Sequence, residues 1–163
     1  MPLGVLQKVL QNLLDEAVPV RDMRSIVEAL AEHCSRTQDP SELTAAVRVA
    51  LGRSIVQNLF PGSQEMCVIA PDHMLERLLM QAVGPGDAAA IEPALAETLA
   101  AQARSSAEEQ EAVGLPAVLL VPAALRLLLS RFLRRSVPSL RVLSHSVVPD
   151  NKGIRVSAVL GAR

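Results

Sequence analysis

At 163 residues the chain is long enough for one domain or two small ones. Half of it is apolar, yet Phe60 and Phe132 are its only aromatic residues, so its cores must rest on Leu, Val, Ile and Ala. That scarcity argues against binding single-stranded nucleic acid by base stacking, which needs aromatic platforms. The net charge of −1 is unevenly spread: residues 1–120 carry eight Lys/Arg against sixteen Asp/Glu, and residues 121–163 carry eight against one, Asp150. Two faces or modules of opposite sign are implied, compensating each other within the fold or between neighbouring copies.

The elements read as follows in chain order. Leu6, Val9, Leu10, Leu13 and Leu14 form one apolar stripe, which predicts a helix over 3–15. Pro19 closes the connection to a second helix over 21–33, with Met23, Ile26, Val27 and Leu30 on its stripe. Asp39 as cap, Pro40 at the first helical position and Glu42 three residues after the cap start a third helix, expected to run unbroken to Asn58. Pro61-Gly62-Ser63 ends this helical module. The period then changes. Glu65–Ala70 is a short apolar run read as a buried strand, followed by a helix from Pro71 to Val83 and a loop at Gly84-Pro-Gly-Asp87. An Ala/Glu-rich helix runs from Glu92 to Val113 and stops at Gly114-Leu-Pro116. Ala117–Val121 is the clearest buried strand, and Pro122 opens a helix to Arg135. Leu140–Ser144 and Ile154–Leu160 are two further strands, joined by Pro149–Gly153, a link too long for a minimal hairpin. The expected fold class is thus α+β or α/β: a helical subdomain over 1–60, then an α/β subdomain over 61–163 with a mixed sheet of about four strands.

Chemistry is sparse. Cys34 and Cys67 sit in no CxxC or metal-like spacing, and His33, His73 and His145 are isolated from one another. No phosphate loop, GxGxxG, HExxH or calcium loop is present. Ser144-His145-Ser146 invites a hydrolase reading but lacks the GxSxG elbow, and only Asp150 follows as an acid. The expectation is a chain that is not an enzyme and uses no cofactor or metal. No apolar run reaches the roughly 18 residues that span a bilayer, and the start lacks a signal-peptide pattern, so the chain by itself reads as cytosolic. One surface feature stands out: Arg126, Arg131, Arg134 and Arg135 on a helix whose other face is Leu and Phe. Such a ridge suits an acidic partner, unless it is solvated or pairs with Glu92, Glu97 or Glu108 of the preceding helix.

Several stretches are similar to the FlhA family of flagellar and type III secretion export-gate proteins, with wording nearer the flagellar branch. They are Val5–Leu14, Asp15-Glu-Ala-Val-Pro-Val-Arg-Asp-Met-Arg24, Glu28–His33, Asp39-Pro40, Leu43–Ile55, Pro116–Val121, Leu125–Leu133, Val142–His145 and Pro149–Asn151. The resemblance implies the third and fourth subdomains of a four-part cytoplasmic region that follows a membrane domain. Met1-Pro2 then reads as the start of a fragment. It further implies a nine-membered ring on the cytoplasmic side of the bacterial inner membrane, which docks export chaperone–substrate complexes and the stalk protein of the export ATPase. No nucleic-acid partner and no membrane insertion of this piece are implied. Ring or partner contacts are expected at Arg21, Asp22, Arg24 and Arg48, polar residues that the apolar stripes do not need for folding, and at the ridge of Arg126, Arg131, Arg134 and Arg135. The alternatives are a small α/β hydrolase using Ser144 or Ser146 with His145, and a nucleic-acid binder using the arginine ridge, whose affinity would fall with salt.

Overall fold

The computed structural model describes residues 2–62, 64–83 and 91–161. The loop expected at Gly84–Asp87 lies outside them. The chain divides into two compact units: Met1–Ser63 with Ser146–Asn151, and Gln64–His145 with Lys152–Arg163.

The first unit holds α1 (Leu3–Asp15), α2 (Met23–His33), α3 (Pro40–Ala50) and α4 (Gly52–Leu59). Both α1 and α2 pack on α3, so the stripe residues Val9, Leu13, Ile26, Leu30, Leu43 and Val47 are buried together with Ile55, Val56 and Phe60. A polar pin accompanies them: Asn12 Nδ2 donates to Thr44 Oγ1 at 3.1 Å, and that hydroxyl donates to the Pro40 carbonyl at 2.6 Å. The first helix ends in a Schellman turn, with Ala17 N–H on Leu14 O and Val18 N–H on Leu13 O, both 2.9 Å. Ala17 therefore has φ +58°, in the left-handed region that glycine usually fills.

The single helix expected over 39–58 is corrected to two, broken at Leu51. The reason lies at Gly52. A Cβ there would fall on the carbonyl of Val147, in the 146–151 segment that belongs to this unit. The backbone turns where only glycine permits that approach, a constraint invisible to local periodicity.

The second unit is built on β1 (Met66–Pro71), β2 (Val118–Val121), β3 (Arg141–Ser144) and β4 (Ile154–Leu160), in the order β3-β2-β1-β4. The strands expected from sequence are found within a residue of their ends. Every pairing is parallel, so the sheet is wholly parallel among the described residues rather than mixed. Helical crossovers impose this on two of the three pairings: α5 (His73–Ala82) and α6 (Pro93–Ala112) join β1 to β2, and α7 (Ala123–Ser136) joins β2 to β3. The link after β3 returns past two strands to the far edge, so β3 and β4 are not neighbours. All three helices bury their stripes in one core with Ile69, Leu119, Val121, Val142 and Leu160: Leu75 and Leu79 from α5, Leu99, Ala103 and Ala107 from α6, and Leu125, Leu129 and Leu133 from α7.

Candidate functional site

The residues singled out from sequence fall into distinct environments. Arg21 and Arg24 are exposed at the start of α2, and Arg24 Nε pairs with Glu28 Oε1 at 3.1 Å on the same helix face. Asp22 is the N-cap of α2: its carboxylate accepts from the Ser25 amide at 3.1 Å and from the Ser25 hydroxyl at 2.6 Å. The Ser25 hydroxyl first, and the Ser25 amide second, hold its carboxyl below the usual carboxylate range. Arg48 is buried, its Nη1 lying 3.6 Å from Glu16 Oε2. Two of these four are therefore residues the fold does require, which corrects the reason for choosing them. Asp22 caps a helix, and buried Arg48 pairs with half-buried Glu16, joining the end of α1 to α3.

The arginine ridge divides in the same way. Arg126 is buried, against the expectation that it faces outward. Arg131, Arg134 and Arg135 are exposed. Arg134 and Arg135 occupy the last turn of α7, where the helix dipole favours cations. No ion pair joins the ridge to Glu92, Glu97 or Glu108 among the described residues, all three of which are exposed. What links α6 to the end of α7 is different: Arg104 Nη2 donates to the Ser136 carbonyl at 3.4 Å, and Ser139 Oγ donates to Glu111 Oε1 at 2.7 Å.

Ser144 is buried at the end of β3 while His145 is exposed, so these two do not form an open nucleophile–base pair. His33 Nδ1 lies 2.9 Å from the Ala29 carbonyl of its own helix. Among the described residues no three His, Cys, Asp or Glu side chains gather as metal ligands do, and no helix is long and apolar enough to cross a membrane.

Sequence reasoning missed one site. Gln110 is buried on α6. Its Nε2 donates to the Cys67 carbonyl of β1 at 2.5 Å and, weakly, to the Pro116 carbonyl at 3.4 Å, while its Oε1 accepts from the Ser157 hydroxyl of β4 at 2.7 Å. Ser157 also reaches the Val68 carbonyl, at 3.1 Å, where the pairing of β1 with β4 shifts by one residue. Two turns earlier, Gln102 Oε1 accepts from the Gly161 amide at 2.9 Å, so α6 grips both ends of the bulged part of β4. The signal was available: Gln110 continues the stripe of Leu99, Ala103 and Ala107, where a polar side chain needs a reason.

This fold, a helical unit and a parallel α/β unit, is shared with solved structures. The structure superposes on the Chlamydia pneumoniae CdsV protein in its complex with CdsO with a TM-score of 0.89, at 23% identity, over 98% of this chain and 48% of that one. It superposes on the nonameric cytosolic domain of EscV from the type III secretion system with a TM-score of 0.81, at 24% identity, over 97% of this chain and 47% of the other. At those identities the likeness is one of fold. In sequence, residues 1–153 match the FHIPEP family, and the chain belongs to that family. It is 56% identical over 161 residues to the flagellar biosynthesis protein FlhA of Escherichia coli, covering 99% of this chain and 23% of that protein. The chain thus spans about a quarter of the length of the curated relatives it matches, and the similarity favours the flagellar branch.

Proposed function

We propose that this chain is part of the cytoplasmic region of a flagellar protein-export gate and that it acts by assembly and docking, without catalysis. The observation that carries the reading is 56% identity to a flagellar biosynthesis protein across nearly the whole chain. The helical unit corresponds to the third cytoplasmic subdomain and the α/β unit to the fourth, with the boundary near residues 60–61. The region lies on the cytoplasmic side of the inner membrane and joins a homo-oligomeric ring, a reading supported by the fold shared with a nonameric cytosolic domain. Docking of the export ATPase stalk protein is supported by the fold shared with a CdsV protein solved together with CdsO. Docking of chaperone–substrate complexes rests on the family resemblance. Of the residues first considered for contacts, Arg21, Arg24, Arg131, Arg134 and Arg135 are exposed and remain the ones proposed.

A graft tests this. The 161 matching residues of the Escherichia coli protein are replaced by this chain in cells lacking their own copy, and swimming and export of flagellar subunits are measured. Restored export is expected. Charge reversal at Arg21 with Arg24, or at Arg131 with Arg134 and Arg135, should lower export while leaving the amount of protein unchanged. A stably produced graft that exports nothing counts against the reading, and charge reversals without effect remove those arginines from it.

A further inference from the structure

The longest strand of the sheet, β4, is one of its two edges among the described residues, and its outer side is apolar. Parallel strands direct the N–H and C=O of alternate residues to opposite sides. Met66 N–H bonds Gly153 O at 2.8 Å, and Asp72 N–H bonds Leu160 O at 2.7 Å, which fixes the residues aimed at β1 before and after the bulge. With the register of Met66 on Ile154, Val68 on Val156 and Ala70 on Val159, the residues left pointing away from the sheet are Ile154, Val156 and Val159. Their side chains share one face and are 44%, 51% and 61% exposed. Edge strands are commonly blunted by proline, by lysine or by being short. This one has seven residues, neither Pro nor Lys, and a bulge at Ser157 that Gln110 holds down from the α6 side. Its one charged residue, Arg155, is exposed, and no acid occurs from Lys152 to Gly161.

We propose that the free edge of β4 is a docking site for an extended segment of another polypeptide, one in which aliphatic and acidic residues alternate. The segment adds as a fifth strand. Its main chain bonds the amides and carbonyls of Ile154, Val156 and Val159, its aliphatic side chains cover theirs, and its carboxylates meet Arg155. Main-chain pairing supplies affinity, and the apolar row with the single cation sets which sequences are accepted. The proposal stands or falls independently of the ring.

The probe is an N-acetylated heptapeptide of alternating valine and glutamate, titrated into the isotope-labelled chain while backbone amides are followed by NMR. The expected result is protection and shifts at the amides of Ile154, Val156 and Val159, with the peptide extended when bound. N-methylation of alternate peptide amides should weaken binding at least about tenfold, since two or more main-chain bonds are lost while the protein is untouched. Lysine in place of glutamate should also weaken it, as should Val156→Thr, which keeps the backbone groups of β4. The proposal is overturned if nothing binds up to about 1 mM. It is likewise overturned if N-methylation is tolerated, if the shifts map away from β4, or if the same amides become protected with rising protein concentration alone, which would make a second copy the occupant.

Discussion

Replacing Gln110 with leucine keeps the volume on α6 but removes every polar contact the side chain makes. The Cys67 carbonyl loses a donor at 2.5 Å, and the Ser157 hydroxyl loses its acceptor at 2.7 Å. Ser157 retains the Val68 carbonyl at 3.1 Å, so its loss is partial, while the Pro116 bond at 3.4 Å contributes little. Leaving the Cys67 acceptor without this donor costs about 1–3 kcal/mol, and the Ser157 contact adds about 1, for a total of roughly 2–4 kcal/mol. For a chain of this size that corresponds to a melting point lower by about 4–16 °C. The effect should be local before it is global. Amide hydrogen exchange should speed up first along β4 and the end of α6, while α7 and β3 stay protected. Gln110→Glu sharpens the test, because an ionised carboxylate cannot donate to the Cys67 carbonyl and instead repels it. That variant should be more harmful at pH 7 than near pH 4, where the acid regains a proton to donate. If Gln110→Leu unfolds within about 0.5 kcal/mol of the parent and exchange along β4 is unchanged, the glutamine is not the pin described.

Three further outcomes follow from particular backbone and capping features. Ala17→Gly should stabilise the chain by about 0.5–1 kcal/mol, read as a higher urea midpoint, because φ +58° suits glycine and strains alanine; a lower midpoint would contradict the Schellman geometry. Gly52→Ala should destabilise the helical unit by about 1–3 kcal/mol in thermal unfolding, since its Cβ has no room beside the Val147 carbonyl; an unchanged melt would mean the approach is looser than found. Asp22→Ala should lower the melting point at neutral pH, and the difference from the parent should vanish on acidification. The folded carboxyl titrates below its unfolded value, so its stabilisation is present above about pH 4 and lost as pH falls through the lowered folded value. A difference that persists in acid would assign the loss to something other than the cap.

Local signals carried most of the element boundaries. The cap at Asp39 with Pro40, the Gly114 stop after α6 and the apolar runs of β1 to β4 act over a few residues, and each appears where the sequence places it. The class of site was less legible. Arg21 and Arg24 look like Asp22 and Arg48 in sequence, all polar residues beside apolar stripes. Only the fold shows that Asp22 is engaged by Ser25 and that Arg48 is buried against Glu16. Exposure depends on which face of a helix meets which neighbour, and a charge pattern alone does not record that.

The sequence by itself determined the order and type of nearly every element, the uneven charge and the kinship with export-gate proteins, because periodicity, capping and long stretches of matching residues are properties of the chain. Tertiary structure decided what depends on partners distant in sequence. The need for glycine at position 52, just after the break at Leu51, comes from a carbonyl 95 positions away. The all-parallel order of the strands comes from the crossovers of α5–α7 and from the link that carries the chain from β3 to the far edge. The grip of Gln110 on Ser157 spans 47 residues. Burial, register and the free edge of β4 are relations between surfaces, and they exist only once the chain has folded.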